Sequence, residues 1–178
     1  RMIVTGRAES SPEAIAALWA DGLLRRVDIE APGGGDTPAE VDAFLAELPA
    51  GARSVLDYLA VAEPLSLADL SALTGADAIG DAADRGAVET RTRGGASNDP
   101  VVYTARPLFA GRARAALGGD GARQRRTELV RLLSQHPPGH LSDRLRLAAL
   151  ALDSESPQPT AEVVAASQQA LRLGDLAL

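Results

Sequence analysis

Scarcity of large side chains constrains this chain more than any other feature. In 178 residues there are two Phe, two Tyr, one Trp and one Met. Hydrophobic residues nevertheless make up 46% of the sequence, so a core is within reach, and Ala, Leu and Val must fill it. Ala and Leu lose little side-chain freedom on a helix and are its strongest formers. The expectation is a mostly α protein, forming one ordinary domain or two small ones.

Every basic residue is Arg, 18 in all, and the abundance of Ala, Gly, Asp and Leu beside them reflects a compositional bias rather than phosphate recognition. Cys is absent, which excludes disulfides, thiolate metal sites and Cys nucleophiles. No apolar run approaches the roughly 18 residues of a membrane span, and no signal-peptide pattern opens the chain. The expected location is cytoplasmic. Because the sequence opens on Arg1, a fragment of a longer protein is expected.

Net charge is −6, unevenly spread. Residues 1–84 carry 5 Arg against 15 acidic groups, residues 85–126 carry 9 against 3, and residues 127–178 carry 4 against 6. Such a split marks surfaces that face one another, or a basic face turned to an anionic partner.

Along the chain, Met2–Thr5 and Leu24–Ile29 read as strands flanking a helix with Ile15, Leu18, Trp19 and Leu23 on one face. This is one βαβ unit, which nothing later in the chain completes. Residues 31–38 are a Gly/Pro connector. Thr37, Pro38 and Glu40 form a capping box ahead of a helix with Val41, Phe44, Leu45 and Leu48. A second helix carries Ala52, Val55, Leu56 and Leu59. Ser66 caps a third bearing Leu67, Leu70 and Leu73, and Gly75 ends it. Asp77 is placed to cap the next, stopping at Gly86. The period then turns to alternation: 87–92 and 101–104 are two strands joined by a polar, turn-rich loop. Short helices followed by a hairpin give the order of a winged helix-turn-helix. Pro107 opens a helix to about Leu117, Gly118–Gly121 breaks it, and helices at 122–135, 142–152 and 160–173 follow in the manner of an α-solenoid.

This order of motifs resembles the large ATP-binding transcriptional regulators of the LuxR family, within the STAND class of signalling ATPases. The resemblance is carried by residues 3–7 (IVTGR), 17–24 (ALWADGLL), 48–57 (LPAGARSVLD), 63–67 (EPLSL), 106–109 (RPLF) and 170–177 (ALRLGDLA). It implies a C-terminal remnant of an α/β ATPase domain over 1–30 and a linker at 31–38. A winged-helix domain with a two-stranded wing over 39–117 and antiparallel tetratricopeptide-like helices over 118–178 would follow. In such a parent, ATP and Mg²⁺ bind upstream and a helix-turn-helix reads DNA downstream. This chain would relay nucleotide or ligand state between them by intramolecular packing, its partners being those domains and a protein docked on its helices.

No phosphate loop of the G-x-x-x-x-G-K-[ST] form is present, and without Lys none is possible. The Gly-x-Pro lid segment of the family is also missing between Ile29 and Val41. No cofactor is therefore expected in this chain, and no enzyme activity.

Within the resemblance, Arg7 takes the place of an Arg that senses the terminal phosphate of the nucleotide. A DNA-binding winged-helix protein is the first alternative, with Arg91 and Arg93 on the wing and Arg112 and Arg114 beyond it touching phosphates. Arg123, Arg125 and Arg126 extend that basic run. Against it, Asp77, Asp81 and Asp84 crowd the helix that should enter the major groove. A simple helical protein-interaction module is the second alternative. His136 and His140 stand four apart, but two Pro and a Gly separate them, so a loop is expected rather than a metal pair. Asp143 reads as a first-turn helix carboxylate.

Overall fold

The computed structural model describes residues 37–92, 100–135, 141–156 and 158–173. The strand–helix–strand at 2–29, Arg7, the loop bearing Arg93 and the His136/His140 pair lie outside the described residues.

Helix α1 (Pro38–Glu47) begins as its sequence dictates. The Thr37 side chain accepts from the Glu40 N–H, and Glu40 accepts in return from the Thr37 N–H at 2.6 Å. That backbone hydrogen bond holds the Glu40 carboxyl below its ordinary pKa. Arg53 closes the other end, donating to the carbonyls of Ala46 and Leu48 that α1 leaves unpaired. Helix α2 (Ala50–Val61) buries Ala52, Val55, Leu56, Tyr58, Leu59 and Ala60.

A two-residue strand β1 (Leu65–Ser66) leads into α3 (Leu67–Thr74), capped by the Ser66 hydroxyl on the Asp69 N–H. Gly75 ends α3 at φ 86°, a conformation other residues rarely take, and the same residue starts α4 (Ala76–Asp84). Asp77 is therefore not the cap of α4 but lies in its first turn. Strands β2 (Val88–Thr92) and β3 (Pro100–Thr104) pair antiparallel, Thr90 opposite Val102. The sheet has three strands rather than the two expected, in the order β1-β3-β2, with Leu65 opposite Val102. A two-residue strand carries no alternation, so its sequence could not announce it.

Helix α5 (Pro107–Leu133) runs for 27 residues, interrupted by non-helical geometry at Gly118 alone. The break is thus one residue, not the whole of Gly118–Gly121. Helices α6 (Leu141–Leu152) and α7 (Thr160–Leu173) follow, giving seven helices among the described residues. One buried cluster extends from Val41 on α1 through Val55, Leu56 and Leu59 on α2 to Leu129 and Val130 on α5 and Ala151 on α6. Branched aliphatics and Ala dominate it, as the composition required. Phe44 and Phe109 meet face to face with ring centroids 4.9 Å apart, pinning α1 to α5. No described helix is long and apolar enough to cross a membrane.

Candidate functional site

The chemistry of this chain concentrates where α2 meets the second half of α5. Tyr58 sits among the apolar residues of α2 and is only 4% exposed. Its hydroxyl donates to Glu128 Oε2 at 2.6 Å. Arg125, one turn earlier on α5, donates to the same carboxylate oxygen at 3.0 Å and to the Tyr58 oxygen at 3.3 Å. Its guanidinium also lies 4.8 Å from the Tyr58 ring centroid, in cation–π range. Gln124 donates to the second oxygen of Glu128 at 3.1 Å, and Asp57 Oδ2 lies 3.6 Å from Arg125.

The electrostatics follow from these distances. Burial, reinforced by donation to the Glu128 carboxylate, pushes the Tyr58 hydroxyl up to about 12. Asp57 is raised by its desolvation, which the longer contact with Arg125 does not offset. Partial burial also opposes the charge on Glu128, yet three hydrogen bonds, from Tyr58, Gln124 and Arg125, hold its carboxyl below the usual range. Desolvation likewise opposes the charge on Arg125, and its bonds to Glu128 and Tyr58 outweigh that, raising its pKa. The group is an ionic latch between α2 and α5, in which Tyr58, Arg125 and Glu128 bond to one another.

Two further latches flank it. The Glu63 carboxylate accepts from both the N–H and the hydroxyl of buried Thr104, at 2.6 and 2.8 Å, tying the end of α2 to β3. Arg146 on α6 donates to the Ala62 carbonyl just past α2.

The arginines expected to meet phosphate divide in the folded chain. Arg112 makes a two-pronged ion pair with Asp42 on α1 through Nε and Nη2, which raises its pKa. Arg125 belongs to the latch. Arg91 lies against its own sheet, 3.5 Å from Glu89 and 4.9 Å from the Tyr103 ring centroid. Arg114 and Arg123 are exposed on α5. The exposed side of α4 presents Asp77, Gly80, Asp81 and Asp84, whereas Ala78, Ile79 and Ala82 face the core.

The sequence carries no local sign of Glu128 or Asp57, and Arg125 reads as part of the basic run. The available signal was a Tyr within an apolar stripe, which needs a polar partner when buried. Its partner stands 70 positions away, and no local period identifies it. Among the described residues no cluster of His, Asp or Glu is arranged to hold a metal ion. Comparison with family models, curated proteins and solved structures finds no match to this chain.

Proposed function

We propose that the chain is a non-catalytic relay module, the role its resemblance to the central part of LuxR-type ATP-dependent regulators implies. A winged-helix domain over 39–117 would pass a packing change to tetratricopeptide-like helices over 118–178, which begin within α5. The observation that carries this reading is the Tyr58–Arg125–Glu128 latch. Its polar groups bond to one another across α2 and α5, which supports a packing role. The order helix, short strand, two helices and hairpin supports the winged-helix identity, as does the sheet order β1-β3-β2.

DNA recognition by α4 is disfavoured by charge. Its solvent face offers Asp77, Asp81 and Asp84 where base-reading helices offer Arg, Asn or Gln. Two of the arginines that could grip phosphate, Arg112 and Arg125, already hold carboxylates.

Hydrogen exchange of the full chain in rising urea tests the relay. Protected amides of α2–α4 and of α6 should open together, with a shared free energy and denaturant dependence. Separate opening of α6 at lower urea would overturn it. A gel shift with random duplex DNA tests the rival. No complex is expected at about 150 mM salt, and tight binding there would transfer the assignment to a DNA-binding protein.

A further inference from the structure

The small sheet has one edge on which, among the described residues, no further strand lies. In the order β1-β3-β2 that edge belongs to β2, and its Glu89, Thr90, Arg91 and Thr92 are all exposed. Pairing with β3 fixes which backbone groups face outwards. The Ala105 N–H donates to the Ala87 carbonyl at 3.0 Å, and Glu89 and Arg91 stand opposite Tyr103 and Val101 in the same register. Antiparallel geometry then directs the N–H and C=O groups of Glu89 and Arg91 at β3. Those of Thr90 and Thr92 turn to the open side, where no described backbone group bonds to them. An exposed row of this kind is a template for another strand.

The side chains along that edge complement a copy of themselves. Glu89 and Arg91 lie two apart on one face of β2, each about half exposed. In an antiparallel pair of β2 strands centred on Thr90, Thr90 meets its own copy and the two exchange both backbone hydrogen bonds. Glu89 then stands opposite Arg91 of the second copy, and Arg91 opposite Glu89 of the second copy. Both are non-hydrogen-bonded positions, where opposing side chains come closest. Centring the pair on Arg91 or on Glu89 instead sets like charges directly against each other, so charge selects the Thr90 register. Val88 is 3% exposed and bounds the contact at Glu89–Thr92, which makes the dimer a weak one.

We propose that the outer edge of β2 pairs antiparallel with β2 of a second copy of this chain, joining two three-stranded sheets through reciprocal Glu89–Arg91 pairs. This interface is independent of the relay reading and stands or falls without it.

Sedimentation equilibrium of the full chain from micromolar to millimolar concentration tests the pairing. Dimer should grow with concentration and recede as salt is added. Glu89→Arg alone and Arg91→Glu alone should each weaken association about tenfold or more, since two attractive pairs become repulsive. In an equimolar mixture of these two variants the heterodimer regains both attractive pairs, and association should return to the parent level. Thr90→Pro removes an N–H that β3 does not use, so the sheet should persist while the dimer is lost. That variant decides the matter if a charge variant does not fold. A parent that stays monomeric would overturn the pairing and leave the edge to a strand of another chain. So would a dimer equally strong in both charge variants, or a mixture no more associated than either variant alone.

Discussion

Tyr58 donates to Glu128 across 2.6 Å, and this contact fixes α2 against α5 with a buried hydroxyl and a charged acceptor. Hydrogen bonds to charged groups contribute more than neutral ones, about 1.5–3 kcal/mol, with the lower end fitting an acceptor that keeps some solvent contact. Tyr58→Phe should thus cost about 1–2 kcal/mol in urea unfolding. The double variant with Glu128→Gln should show non-additivity of about 1 kcal/mol or more in a thermodynamic cycle. Strict additivity would mean that the contact carries no energy.

Titration at high pH reads the same group. The Tyr58 pKa is raised from 10.0 to about 12, so the folded state holds the proton longer than the unfolded chain does. Its stability contribution is therefore fully present below pH 10 and is lost as pH rises through 12. Absorbance of tyrosinate should show a step near 12 that disappears in Tyr58→Phe. That variant should also lose less stability between pH 10 and 12 than the parent.

Glu128 and Asp57 act in opposite senses at low pH. The lowered pKa of Glu128 gives stability present above the unfolded value and lost as pH falls through the folded one. The raised pKa of Asp57 disfavours the folded state at neutral pH, and protonation relieves that penalty as pH falls. Removing the second effect exposes the first. Asp57→Asn should lose stability more steeply than the parent between about pH 5 and 3, and Glu128→Gln less steeply. Parallel curves for all three would show that neither carboxylate is coupled to folding.

Where α1 meets α5, two neighbouring contacts should differ sharply in energy. Phe109 is 3% exposed and stacked on Phe44, so Phe109→Ala should cost about 3–5 kcal/mol. Arg112 and Asp42 are each nearly half exposed, so Arg112→Ala should cost far less than Phe109→Ala, and less still at high salt. Thermal unfolding of the two variants at low and high salt separates apolar from ionic fastening.

These contrasts show what a sequence of this kind discloses. The capping box at Thr37, the Ser66 cap and the Gly75 stop are local, since donor and acceptor lie within a turn, and each is legible from residue type and spacing. The helical stripes of α1 and α2 are legible for the same reason, whereas the alternation expected of 101–104 is absent, because Val101, Val102, Tyr103 and Thr104 are all buried. Strand β1 is not legible, because two residues cannot display a period. The latch is less so. Tyr58, Arg125 and Glu128 are ordinary residues of two separate helices, and only packing makes them partners. Arg112 and Arg125 read as a basic surface because sequence gives charge without saying which carboxylate already occupies it.

Charge on α4 leads to the last prediction. Asp77 lies in its first turn, where a carboxylate faces unpaired N–H groups and the positive end of the helix dipole. Asp84 is its last residue, where the carbonyl end disfavours negative charge, and the last turn contains no basic residue to offset it. Both are exposed, so water and salt screen their charges. Asp77→Asn should destabilise by about 0.3–1 kcal/mol and Asp84→Asn should stabilise by a similar amount, with both effects shrinking in salt. Thermal unfolding of the single variants at low ionic strength measures the two signs. Opposite signs would mean that Asp84 sits on α4 at the expense of helix stability, and equal signs would mean that the helix dipole does not govern either carboxylate.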